Sequence, residues 1–205
     1  MNIVFSIIIG YLLGSISFSY LLGKYIKKVD IRKYGSGNAG ATNTLRVLGK
    51  GPAIAVLLLD IAKGIVAVMI SSLLGGEEWV PFLAGLFAII GHNWPIFFGF
   101  RGGKGIATTI GVLLVLVPYP ALLAGVGAII LIFLTRYVSL GSLVFTLLTP
   151  IFILFFDQYP ISFFYSALIF TLLSIWQHRV NIKKLIQGNE NKIGEKSKIE
   201  EVNNS

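Results

Sequence analysis

Long uncharged apolar runs, separated by loops whose charge is almost all positive, constrain this chain more than any other feature. No charged residue occurs from residue 1 to 23, and then Lys24, Lys27, Lys28, Arg32, Lys33, Arg46 and Lys50 follow within one stretch. Later apolar runs are interrupted by a second basic loop at Arg101 and Lys104, by Arg136, and by a basic C-terminal region from Arg179 onward. The other interruptions hold only Glu77 and Glu78, Pro118-Tyr119-Pro120, and Asp157. Short loops rich in Lys and Arg stay cytoplasmic. All 17 Lys and Arg residues can be assigned to one side, so the chain reads as an all-α, polytopic membrane helix bundle with its cationic, Gly-rich loops facing the cytoplasm. Chemistry on something anionic is expected at that face.

Composition narrows the class further. A mean hydropathy of +0.82 with 55% hydrophobic residues excludes an ordinary soluble domain. The chain's 205 residues fit one bundle. Residues 1–188 are expected to form a single transmembrane catalytic domain, and residues 189–205 a polar, mobile cytoplasmic tail. The absence of Cys removes disulfides, thiolate nucleophiles and Cys-metal sites together. His92 and His178 are too few for a His-rich metal centre. The first apolar segment has no basic lead and no small-residue cleavage pattern, so it is expected to be retained as a membrane helix with its N-terminus outside.

Spans of about 20 residues cross the hydrocarbon core. Residues 1–23, 51–74, 79–100, 139–156 and 161–177 each suit one crossing. The uncharged stretch 105–135 would be roughly 46 Å long as one helix, too long for a core of about 30 Å. Pro118 and Pro120 are expected to split it into two short pieces. Parity supports the split, because two crossings keep Arg136 and the C-terminus on the basic side. The result is seven transmembrane helices, two of them short, with the N-terminus outside and the C-terminus cytoplasmic. A re-entrant pair in place of the two short helices would satisfy the same parity with five full spans.

Three polar segments carry the candidate chemistry. In the first, residues 34–46, small residues let the backbone turn its N–H groups toward an anion. Ser36, Gly37, Asn38, Thr42 and Asn43 are candidate substrate-binding positions there, and Arg46 adds a planar cation suited to phosphate. Its Gly35-x-Gly37-x-x-Gly40 is not read as a dinucleotide fingerprint, which needs a preceding strand. The second segment, residues 91–105, ends Arg101-Gly102-Gly103-Lys104-Gly105. It is not a Walker A loop, because Phe98 stands where the first Gly belongs and Ile106 follows where a Mg²⁺-binding hydroxyl belongs. What remains is a Gly nest with two cations at a helix N-terminus. The third segment places His178 and Asn181 three apart on one helix face, followed by an interfacial amphipathic helix. Asp60 and Lys63, also three apart, lie two to three turns into the second span and are expected to pair.

These parts limit the reaction. No paired carboxylates, Gly-x-Ser-x-Gly elbow, Cys or His-x₄-Asp signature is present, and no motif requires a metal or cofactor. Direct transfer between two bound anionic substrates fits best. Two alternatives remain open at this point: a small organophosphate transporter, and a lipid-binding scaffold.

Segments 36–46, 91–105 and 178–192, with Asp60-x-x-Lys63-Gly64 between the first two, resemble the signature segments of the bacterial acyl-phosphate:glycerol-3-phosphate acyltransferases in order and spacing. The resemblance covers nearly the whole chain, with Arg101 where Lys is common. It implies a multi-pass enzyme of the bacterial cell membrane that acts in phospholipid synthesis. Such an enzyme moves a fatty acyl group from acyl phosphate to glycerol 3-phosphate without metal. It further implies that Ser36, Arg46 and Lys104 hold phosphate, that His178 and Asn181 lie at the reaction centre, and that Ser142 is a secondary candidate. The leaving phosphate could itself take the hydroxyl proton.

Overall fold

The computed structural model describes residues 2–194, and among them every regular element is helical. Ten α-helices occur in order: α1 (Asn2–Gly14), α2 (Phe18–Lys27), α3 (Ala41–Leu48), α4 (Lys50–Leu73), α5 (Val80–Asn93), α6 (Ile106–Leu116), α7 (Pro118–Thr135), α8 (Val138–Ile153), α9 (Ile161–Gln177) and α10 (Arg179–Ile186). Four segments, Asn2–Lys27, Lys50–Leu73, Val80–Phe98 and Pro118–Thr135, are long and apolar enough to cross a membrane. The α9–α10 pair, bent by 64°, adds a fifth, while α6 and α8 are shorter apolar helices. The seven apolar segments of the sequence therefore all appear as helices.

Two boundaries differ from expectation. The first span is broken at residues 15–17, so that α1 ends before the first basic loop and α2 carries Lys24 and Lys27. The stretch 105–135 breaks at Val117, with Pro118 at the first position of α7, where its missing N–H costs nothing. Its second piece is 18 residues long, and only α6, at 11 residues, is short.

Small residues set the packing. α1 lies so close to α5 that a Cβ on Gly14 would come within 2.0 Å of the Ala88 carbonyl oxygen, and one on Gly10 within 2.4 Å of that of Ala84. Close backbone approach through small residues is how helices associate where lipid tails are as apolar as the side chains. α4 approaches α6 in the same way at Gly64 and Gly111. The buried core runs from Val68, Phe82 and Val112 through Ala121 and Ala124 to Phe145 and Phe170. Leu73, Phe133, Leu134, Phe155 and Leu172 stay exposed, as a lipid-facing belt requires. All three polar segments lie at helix ends: before α3, before α6, and at the α9–α10 bend.

Candidate active site

The loop before α3 is shaped from inside. Asn43, 1% exposed, donates from Nδ2 to the Ile31 and Tyr34 carbonyls (both 3.1 Å), and its Oδ1 accepts from the Ser36 N–H at 2.9 Å. Gly35 is needed here: its φ is +60°, and a Cβ would lie 2.3 Å from Asn43 Oδ1. The Asn43 amide is thus committed to holding the loop. Ser36 and Gly37 are exposed, and Asn38, Thr42 and Arg46 are half-buried at the loop's outer surface. Arg32 joins this loop to the next one. It pairs with Asp30 at 2.9 Å and donates from Nη1 to the Phe98 and Arg101 carbonyls at 2.5 and 3.3 Å. Pairing with Arg32 holds the Asp30 carboxyl below its usual range.

The second loop departs from the expected nest. The N–H of Gly102 donates to the Asn93 carbonyl (3.1 Å) and that of Gly103 to the His92 carbonyl (3.0 Å). These two amides were expected to point at an anion, but they satisfy the last carbonyls of α5, which have no partner within their own helix. Gly102 and Gly103 matter here for closeness, since a Cβ on Gly102 would sit 1.9 Å from the His92 oxygen. The N–H of Ala39 donates to the Gly102 carbonyl at 3.3 Å and stitches the two loops together. What the loop offers an anion is the start of α6 and the Lys104 ammonium. Arg101 is exposed and makes no ion pair among the described residues.

Lys104 is the meeting point. Its Nζ donates to Asn181 Oδ1, Asn181 Nδ2 donates to Glu190 Oε1 at 2.7 Å, and Ser139 Oγ donates to the same oxygen at 2.8 Å. The start of α6, α8, α10 and the segment after α10 are thereby joined. Burial pushes the Lys104 ammonium down to about 8; Glu190 opposes this, while Arg46 and Lys184 add to it. Three cations thus approach one another with Glu190 as their counter-charge.

His178 sits at the α9–α10 bend, 2% exposed. Its Nδ1 donates to the Ser174 carbonyl at 2.8 Å, which fixes the proton on that nitrogen and leaves Nε2 as an acceptor. Burial first, then the Lys104 charge, pushes its pKa down to about 4. It is therefore neutral at pH 7, an acceptor at Nε2 but weakly basic. Ser142 lies one turn beyond Ser139 on α8 and donates its hydroxyl proton to the Val138 carbonyl at 2.8 Å.

The structure brings Arg46, Lys104, His178 and Asn181 to one end of the bundle. It also adds Glu190, to which sequence reasoning gave no role. Its signal was its place in the third signature segment, as an isolated acid nine residues after Asn181 in a basic strip. Residues 189–194, assigned by sequence to a mobile tail, are strapped down: Ile193 N donates to the Arg136 carbonyl at 2.8 Å, and Arg136 Nη2 returns a bond to the Ile193 carbonyl at 2.9 Å. The rest of that expected tail, 195–205, lies outside the described residues.

Comparison with known proteins converges on one family. Residues 4–188 match the family model described as glycerol-3-phosphate acyltransferase. Glycerol-3-phosphate acyltransferase of Shouchella clausii is 57% identical over 95% of this chain and 98% of its own, and that of Halalkalibacterium halodurans is 58% identical over 96% and 98%. The crystal structure of PlsY (YgiH), an integral membrane glycerol 3-phosphate acyltransferase in its glycerol 3-phosphate form, superposes with a TM-score of 0.88. It shares 40% identity and covers 95% of this chain and 96% of that one. Its lysophosphatidic acid form gives 0.86 at 39% identity, with the same coverage.

Proposed function

Since this chain belongs to the glycerol-3-phosphate acyltransferase family and is an integral membrane acyltransferase for glycerol 3-phosphate, we propose that its acyl donor is acyl phosphate and that transfer is direct. The products are 1-acyl-glycerol 3-phosphate and inorganic phosphate. The observation that carries this reading is the site's charge: Arg46, Lys104 and Lys184 converge with Glu190 as counter-charge, beside a neutral imidazole. Such a surplus of cations suits two phosphates at once. The relatives named above are glycerol-3-phosphate acyltransferases, which favours this reading over the transporter and scaffold alternatives.

In the proposed step the sn-1 hydroxyl of glycerol 3-phosphate hydrogen-bonds to Nε2 of His178 and attacks the acyl carbonyl carbon. The new C–O ester bond forms as the carbonyl carbon–phosphate oxygen bond breaks. The hydroxyl proton goes to the departing phosphate, which is a stronger base than an imidazole held near 4. Lys104 and Arg46 neutralise phosphate oxygens, and Asn181, fixed by Glu190, orients Lys104. The Ser139 and Ser142 hydroxyls are not poised for an acyl-enzyme, because they donate to Glu190 and to the Val138 carbonyl. Ser36, Gly37, Asn38 and Thr42 line the outer face of the first loop as substrate contacts, while Arg101, Gly102 and Gly103 shape the second. Seven crossings in a bacterial cytoplasmic membrane, with the Glu77–Glu78 loop outside, place every one of these residues on the cytoplasmic face.

Purified protein supplied with glycerol 3-phosphate, in parallel with acyl phosphate and acyl-CoA, tests the donor. Turnover only with acyl phosphate, undiminished by EDTA, is expected; equal rates with acyl-CoA would overturn it. Single-Cys labelling in this Cys-free chain tests the topology. Labelling of Ser36→Cys or Gly103→Cys only from outside would reverse it.

A further inference from the structure

A second polar cluster lies inside the bundle, below the two loops. Lys63 on α4 is 4% exposed, and its ammonium has three partners: two from elsewhere in the bundle and one, Asp60, a turn earlier on the same helix. It donates to the Ile16 carbonyl at 2.8 Å and to His92 Nδ1 at 2.9 Å, and it forms an ion pair with Asp60 Oδ1 at 2.8 Å. Two hydrogen bonds and one ion pair thus occupy the ammonium, which has three N–H groups to give. The Ile16 carbonyl is available because α1 ends at Gly14 and α2 begins at Phe18. Non-helical backbone at membrane depth must find partners inside the protein, and Lys63 supplies one.

His92 turns this cluster toward the site. With Nδ1 accepting from Lys63, the ring proton lies on Nε2. A Cβ on Gly103 would come 2.1 Å from that Nε2 and 2.7 Å from the Ala39 carbonyl oxygen. The far edge of the ring therefore bears directly on the backbone one residue before Lys104, where the first and second loops cross. Stability alone does not account for burying three ionisable groups here. A buried ionic cluster replaced by well-packed apolar side chains is often no less stable. A fixed height for the loop backbone is something apolar packing specifies poorly.

We propose that Asp60, Lys63 and His92 form a positioning cluster that sets the height of the Gly102–Gly103 backbone and, through it, the reach of Lys104 toward a substrate phosphate. The inference rests on the reading of Lys104 as a phosphate ligand. None of the three touches substrate; they act through the loop.

The test uses the full chain in detergent, with His92→Ala and His92→Gln compared to the unmodified protein. Gln keeps an acceptor for Lys63 and a donor at similar reach. Two readouts are taken: KM and kcat for each substrate, and the rise in melting temperature caused by inorganic phosphate, which needs no turnover. In His92→Ala the KM of at least one phosphate substrate should rise tenfold or more, kcat should stay within about threefold, and most of the phosphate-induced stabilisation should be lost. His92→Gln should restore both to near the unmodified values. Unchanged KM values with kcat reduced only by loss of folded protein would overturn the proposal. So would a phosphate-induced stabilisation in His92→Ala equal to that of the unmodified protein. Phosphate stabilisation of the unmodified protein that survives Lys104→Ala would instead count against the parent reading of Lys104.

Discussion

The two histidines of this chain mark two polar regions that differ in one respect. Around His92, inside the bundle, every charge is answered by protein: ammonium, carboxylate, imidazole and a freed carbonyl close on one another. Around His178, at the bundle's end, Arg46, Lys104 and Lys184 have Glu190 as their counter-charge, and the imidazole's Nε2 is left as an acceptor. Burial alone does not distinguish the two regions, since His92 and His178 are 6% and 2% exposed. The difference lies in the balance of charge. A self-satisfied cluster holds structure in place, and a cluster with surplus cations awaits an anion.

The sharpest way to break this comparison is to unbalance the inner region. Asp60→Ala leaves Lys63 buried without its counter-ion, which costs about 3–5 kcal/mol. Loss of folded protein, read as a collapse of the melting temperature in detergent, is the expected outcome. A fully folded, merely slow Asp60→Ala enzyme would mean that the inner cluster behaves like the outer one.

In the outer region the same kind of change should cost function and spare the fold. Lys104→Ala removes one cation from a cluster that holds more of them than Glu190 balances, and Glu190 keeps its bonds from Asn181 and Ser139, so the melting temperature should hold. A charge-assisted phosphate contact is worth about 1.5–3 kcal/mol, so kcat/KM should fall about 10- to 150-fold. The pH profile sharpens the point. Lys104 loses its proton as pH rises through about 8, so kcat/KM should decline on that side, and Lys104→Arg should move the decline to higher pH. His178 is neutral at all pH well above about 4 and should add no limb between pH 5 and 7.

His178 itself comes next in size. If Nε2 holds the sn-1 hydroxyl while the phosphate takes the proton, His178→Gln should stay within about tenfold of the unmodified kcat, because its amide oxygen reaches the same place. His178→Ala should lose about 10- to 100-fold, as one or two hydrogen bonds near charged groups allow. Background activity in a folded His178→Gln enzyme would make the imidazole a true base.

Much of this was legible in the sequence, for physical reasons that particular residues illustrate. Apolar runs announce spans by length alone, and Arg46, Lys104, His178 and Asn181 stood out as polar groups at their ends. The break at residues 15–17 did not stand out, because Ser15-Ile16-Ser17 is uncharged and hydropathy passes over it. Gly102 and Gly103 suggested outward amides because a Gly nest ordinarily offers them. Where an N–H points depends on which carbonyls lie near, and those belong to the end of α5. The Lys63–His92 contact spans 29 residues and two helices, and no local pattern encodes it. Glu190 stood in the third signature segment as a single acid in a basic strip, but its role depends on partners on α8 and α10 that only the fold brings to it.

Ser142 should give the smallest effect, and it tests where the outer region ends. The resemblance places it near the substrates, and it lies one turn from Ser139, which touches Glu190. Its own hydroxyl proton, however, is donated to the Val138 carbonyl, four residues back along α8. A hydroxyl bonded to its own helix is already satisfied and offers a ligand only its lone pairs. Phosphate oxygens are acceptors at neutral pH and gain nothing from a lone pair. Ser142→Ala should therefore change kcat/KM less than about threefold, with Lys104→Ala measured alongside as the reference for a real phosphate contact. A loss of thirtyfold or more would show that the hydroxyl swings away from Val138 to donate to substrate. The functional region would then extend a full turn deeper into the bundle than the charges at its mouth define.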